Sequence, residues 1–178
     1  FIMRTLRANS TLTLTATVLA AVLVVANISS LNVALPELSR ELGASQSDVQ
    51  WMVDIYAFFL ASLLLPAGAL GDKFGRRPML LLGVTILCIA NIATLFTEHL
   101  DFIESNEAKL VIAFRALSGF GAAFIFPATL STITTTLPPE KKERGVAIWT
   151  ASVFFGGLSG VLLSLSLIHI SEPTRPSI

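Results

Sequence analysis

Apolar residues in this chain come in long unbroken runs, and charged residues gather in the short stretches between them. The runs predict five helices, over about 13–36, 49–70, 79–97, 110–137 and 145–167. Crossing roughly 30 Å of hydrocarbon takes about 20 residues at 1.5 Å of rise each, so each run is long enough to span a bilayer. No alternation of apolar and polar positions bounded by regular turns is present, which argues against an outer-membrane barrel. Ser47 or Asp48 is the expected cap of the second helix, and Pro78 falls in the first turn of the third. The first run follows Arg4 and Arg7, as a signal peptide would. It continues past the usual length of such a segment, without a clear small-residue cleavage site, and so predicts a retained helix.

Composition supports the same class. Hydrophobic residues make up 53% of the 178 and charged residues 13%, where soluble domains carry about a quarter charged. The predicted fold class is therefore an all-α integral membrane protein, with the lipid bilayer as its partner. A formal net charge of zero leaves no basic surface for nucleic acid. Cys88, the one cysteine, cannot form an internal disulfide and reads as a small buried hydrophobe.

The distribution of charge sets an orientation. If five helices alternate, Arg4, Arg7, Lys73, Arg76, Arg77, Lys141, Lys142 and Arg144 fall on one side, and only Arg40 and Lys109 on the other. Basic residues stay in the cytoplasm, so the amino end, the loop at Asp72 and a loop over 138–144 are expected there. The opposite loops are acidic, and His99 in the second of them reads as a solvated side chain rather than a metal ligand.

Three stretches result: a cytoplasmic segment over 1–11, a transmembrane part over 12–164, and a tail over 165–178. The string LSLIHISEPTRP within the tail resembles the translation of a transposase adapter used in sequencing libraries. His169, Glu172 and Arg175 are accordingly expected to carry no function.

Polar residues inside or beside the apolar runs are the candidates for chemistry. In the GALGDKFGRRP loop, Gly68, Gly71 and Gly75 would permit close backbone approach, while Asp72 stands beside Lys73, Arg76 and Arg77. Such a carboxylate can latch two helices or simply sit in a solvated, topology-fixing loop. The loop is not a phosphate-binding one, since no Walker pattern follows a strand. Arg115 lies within an apolar run, where a fixed charge needs a partner, a polar cavity or a route to the interface. Asp54 is either a protonatable carboxylate lining a cavity or an interfacial residue. Asn27, Ser29, Ser30 and Asn32 suit hydrogen bonds between helices, and Gly119, Gly121, Gly156, Gly157 and Gly160 suit close helix crossing. Trp51 and Tyr56 read as interfacial anchors or core packing. No Ser or Cys has a convergent base, so no enzymatic site is expected, nor any cofactor or metal.

Gly68, Leu70, Asp72, Gly75, Arg76 and Arg77 match every fixed position of G-x-L-x-D-x-x-G-R-R/K, the signature loop of the major facilitator superfamily. NVALP at 32–36 and WMVDIYAFFLASLLLPAGAL at 51–70 further resemble its fourteen-helix drug:proton antiporter branch. The resemblance implies the first five helices of a longer bacterial inner-membrane transporter with a cytoplasmic amino end. It implies proton-coupled efflux of small hydrophobic or amphipathic substrates by alternating access, with protons as the second partner. The same fold also carries facilitators and importers of other solutes, and a non-transporting membrane subunit is a third reading. In the family the Asp72 loop gates, and the arginine matching Arg115 is implicated in proton coupling. Asn27 departs from the branch, whose members often carry Asp there, so either Asp54 and acidic residues in further helices carry the coupling or the proton stoichiometry differs. The glycine-rich antiporter motif of the fifth helix is matched only partly, at Gly156, Gly157 and Gly160.

Overall fold

The computed structural model describes residues 10–41, 43–96 and 107–171, with side chains at 10, 30–34, 37, 38, 41, 95 and 163–171 left out of the description. Five helices follow one another: α1 (Ser10–Glu41), α2 (Gln46–Phe74), α3 (Arg76–Leu95), α4 (Glu107–Thr136) and α5 (Pro139–Ser171). Each contains a stretch long and apolar enough to cross a membrane. The outer surface is apolar too, with Leu65, Phe154 and Phe155 more than two-thirds exposed. That is the pattern of a bundle whose solvent is lipid.

The helices exceed their expected lengths, and in α2 and α5 the cause is local. α2 starts earlier because Ser45, not Ser47 or Asp48, is its cap. Ser45 accepts from the Asp48 backbone N–H, and Asp48 accepts in return from the Ser45 N–H at 3.1 Å, forming a capping box. The basic stretch expected as a loop over 138–144 is instead the first turns of α5. Pro139 suits the first helical position, Glu140 favours the helix amino end, and Lys and Arg are good helix formers. α1 runs on through Pro36 to Glu41. α5 continues to Ser171, since Leu165, Leu167, Ile168 and Ile170 keep it apolar and no proline intervenes before Pro173. Glu98, His99, Asp101 and Glu104 lie outside the described residues.

α4 is the centre. Half of its membrane window is buried, against 11% to 22% in the other helices. α2 runs parallel to it, pairing Tyr56 with Gly119 and Gly68 with Pro127. α3 runs antiparallel to it, with Gly83 facing Gly121. α1 and α5 form a second parallel pair, Val22 against Gly156 and Ala26 against Gly160.

Small residues set these distances. A Cβ on Gly119 would stand 2.5 Å from the Tyr56 carbonyl oxygen, one on Gly121 2.8 Å from that of Gly83, and one on Gly160 2.7 Å from that of Ala26. Gly156 is nearly as tight, 3.1 Å from the Val22 backbone, whereas Gly157 has ordinary room, 3.6 Å from Ser29. Backbone-to-backbone contact of this kind provides the dispersion attraction that holds helices together where no water drives them. Cys88 is exposed on α3 rather than buried.

Candidate functional site

Val111, Arg115, Ser118 and Ala122 recur at helical spacing along one buried face of α4, which carries the arginine inward. Arg115 lies eight residues after Glu107, about 12 Å along the helix, and is 6% exposed. Its Nε donates to the carbonyl oxygen of Met52 at 3.3 Å and its NH1 donates to Oδ1 of Asn27 at 3.0 Å. The guanidinium also lies over the ring of Tyr56, 4.5 Å from its centroid, a favourable place for a cation. Met52 and Tyr56 are one turn apart on the inward face of α2, and both are buried.

The network extends to α3. Nδ2 of Asn27 donates to Oδ1 of Asn91, and Nδ2 of Asn91 donates to the carbonyl oxygen of Leu87 at 2.7 Å. Arg115 and Asn27 are thus brought together, and Asn91 joins them. A lone amide in the run ILCIANIATL was the available signal for Asn91, because an amide in a membrane helix seeks a partner. Among the described residues no carboxylate stands within ion-pair distance of Arg115. The charge is held by neutral acceptors and an aromatic face, turned into the bundle rather than toward the interface.

Asp54 is not part of this cluster. Two residues on from Met52, it lies on the exposed face of α2, where Ser47, Gln50, Trp51 and Phe58 line a shallow hollow of about 370 Å³ with it.

A second polar junction closes the other end of α2. The expected loop is a single residue, Gly75, between Phe74 and Arg76. Its φ of +98° suits glycine. Gly68 makes only ordinary contact, 3.7 Å from Pro127, and a Cβ on Gly71 would meet open space, so close approach is not the common role of these glycines. Asp72 accepts from NH2 of Arg76 at 3.0 Å, while NH1 of Arg76 donates to the Ser131 carbonyl oxygen at 2.7 Å and to Oγ1 of Thr135 at 3.3 Å. The sequence pointed to Asp72 as the latch, but Arg76 makes the crossing to α4 and Asp72 holds Arg76. Arg77 is exposed. Ser131 and Thr135 gave no signal beyond being small polar residues late in an apolar run.

Between these junctions, Leu60, Leu64, Leu65, Phe126, Leu130 and Trp149 line an apolar groove of about 710 Å³, with Asp72 at its rim. Trp149 is fixed there by donating to Oγ1 of Thr129 at 3.1 Å and by edge-on contact with Phe126, ring centroids 6.0 Å apart. Such walls suit an apolar or aromatic body. Among the described residues no group of three His, Cys, Asp or Glu is placed to hold a metal.

Several proteins similar to this chain are named for drug resistance or export. The chain is 39% identical over 157 residues to the methyl viologen resistance protein SmvA of Salmonella typhimurium, covering 85% of the chain and 30% of that protein. It is 32% identical over 157 residues to the tetracenomycin C resistance and export protein of Streptomyces glaucescens, covering 88% and 28%. It is 31% identical over 153 residues to the drug efflux pump JefA of Mycobacterium tuberculosis, covering 85% and 28%. The chain therefore spans about 30% of the length of the curated relatives it matches. The family model for the Major Facilitator Superfamily matches residues 17–174. With five membrane-length helices, the signature loop between α2 and α3, and this match along most of its length, the chain belongs to the Major Facilitator Superfamily.

Proposed function

We propose that this chain is part of a secondary transporter that exports small hydrophobic or amphipathic compounds in exchange for protons, by alternating access. The observation that carries the reading is Arg115, a guanidinium buried deep in a membrane helix and held by neutral groups on α1 and α2. Keeping a charge there is expensive, and such residues mark substrate and ion pathways. A fixed positive charge biases the protonation of nearby acids and the binding of cationic substrates, and that bias can differ between inward-facing and outward-facing states.

In this scheme Asn27 cannot carry a proton. Asp54, a carboxylate within the span of α2, is the protonatable group, and Arg115 tunes the polarity of the pathway. The Asp72–Arg76–Ser131 junction acts as the gate, with α2 and α4 joined in one state and released in the other. The basic residues at that junction support a cytoplasmic side for it and for the amino end, in a bacterial inner membrane. Relatives named for resistance to methyl viologen and for export of tetracenomycin C support small organic compounds as substrates. The non-titrating Asn27 beside Arg115 favours one rival, a facilitator or importer of another solute on the same fold.

Expression of the complete transporter carrying this segment, in a bacterium lacking its own efflux pumps, separates the two. The export reading expects lower accumulation of methyl viologen, reversed by a protonophore. Accumulation that is unchanged, or raised regardless of the protonophore, overturns it.

A further inference from the structure

We infer that Tyr56 is a positioning residue for Arg115, holding the guanidinium by the electron-rich face of its ring rather than by its bulk. The inference deepens the reading of Arg115 as the working charge of the pathway and rests on it. The guanidinium carbon lies 4.5 Å from the ring centroid, inside the roughly 6 Å over which a cation is drawn to an aromatic face. Tyr56 is 2% exposed and Arg115 6%, so their surroundings screen the attraction little. The ring is anchored by its neighbours. The Tyr56 backbone is pressed against Gly119, one turn after Arg115 on α4, where a Cβ would stand 2.5 Å from the Tyr56 carbonyl oxygen. One turn before Tyr56 on α2, the Met52 carbonyl oxygen accepts from Nε of Arg115 at 3.3 Å. The Tyr56 hydroxyl donates to the Val24 carbonyl oxygen on α1 at 3.5 Å. Tyr56 thus stands where α1, α2 and α4 meet.

An aromatic face suits a charge that has to act on other groups. A carboxylate in the same place would bind the guanidinium through a strong pair and cancel its charge. The ring quadrupole attracts the cation but leaves its net charge in place, where it acts on acids and cationic substrates in the pathway. This role differs from packing, because the size and apolarity of a ring do not depend on the electron density of its face.

Fluorine reads that difference. Each fluorine on a phenylalanine ring withdraws electron density from its face and changes its size little, so the series from Tyr56→Phe through its mono-, di- and trifluoro analogues weakens the attraction for a cation stepwise. In the complete transporter carrying this segment, purified in lipid nanodiscs, an amber codon at position 56 introduces each analogue at this residue alone. The melting temperature should fall at every step, by on the order of a few degrees over the series. In the Arg115→Gln background it should stay level. If that background fails to insert, the same series at Phe114 supplies the comparison. This half-buried neighbour of Arg115 makes no ring or cation contact among the described residues, and its series should stay level. A level series at position 56 overturns the inference. So does a fall of equal slope in Arg115→Gln or at Phe114, which would make Tyr56 a packing residue. Melting reads the contact and flux reads transport, so failure of this inference and failure of proton-coupled export appear in different measurements.

Discussion

Arg76, the first residue of α3, donates to the carbonyl oxygen of Ser131 on α4 at 2.7 Å while a second nitrogen of the same guanidinium is held by Asp72 at 3.0 Å. One side chain thus ties the ends of three helices together. The junction lies at the rim of the apolar groove between α2, α4 and α5, where its opening would change access to the groove.

The ion pair itself adds little to stability. The Asp72 side chain is 70% exposed and that of Arg76 31%, and exposed pairs contribute about 0–1 kcal/mol. Asp72→Asn in the complete transporter should insert normally and melt close to wild type. A coupling of about 1–3 kcal/mol between gate states changes their ratio roughly 5- to 150-fold, so transport should fall by at least about fivefold. Arg76→Ala also loses Ser131 and Thr135 and should be the more severe change. Substrate flux per inserted protein measures both, and wild-type flux from Asp72→Asn would end the gating proposal.

Arg115→Lys keeps the charge but not the planar fork that reaches Met52 and Asn27 while stacking on Tyr56. Each bond to the charged group that lysine fails to make forfeits about 1.5–3 kcal/mol. Flux should drop about tenfold or more in both Arg115→Lys and Arg115→Gln. Full transport by the lysine variant would show that charge alone suffices.

Glycine substitutions should separate by geometry. Gly119→Ala and Gly160→Ala drive a methyl group into backbone oxygens at 2.5 and 2.7 Å, an overpacking that costs about 1–3 kcal/mol. Gly157→Ala meets only ordinary contact at 3.6 Å and should change stability by under about 0.5 kcal/mol. Thermal melting of the purified variants tests the order. Equal melting temperatures would contradict the packing of both helix pairs.

Run length and charge spacing made the five spans legible, because lipid imposes one rule on every residue of a span. Boundaries were not legible to the same degree. Hydropathy ends where charge begins, whereas the helical hydrogen-bond ladder continues through Glu140, Lys141 and Lys142 in α5 and through Lys73 in α2. Arg115 and Asn27 stood out as polar residues in apolar runs, but their contact spans 88 positions and depends on how α1 and α4 meet. Asn91 and Trp149 are single polar or aromatic residues in apolar runs and carry no spacing signal. The outward face of Asp54 followed from the rotation of α2, which Met52 and Tyr56 fix by packing inward.

The orientation rests on basic residues. In the complete transporter with Cys88→Ser, a single cysteine at Lys142 should react with a membrane-impermeant thiol reagent only after permeabilisation. One at Ser47, at the other end of the bundle, should react in intact cells. The opposite pattern would invert the proposed topology.

Coupling between substrate and proton is the central claim, and reconstituted vesicles measure it directly. With the complete transporter in proteoliposomes, an imposed pH gradient should drive methyl viologen uphill. Adding the substrate should release a matching flow of protons recorded by a pH-sensitive dye in the lumen. Arg115→Gln should abolish both signals while leaving the protein inserted. Downhill substrate movement that ignores the pH gradient and carries no protons would contradict the account and establish a facilitator instead.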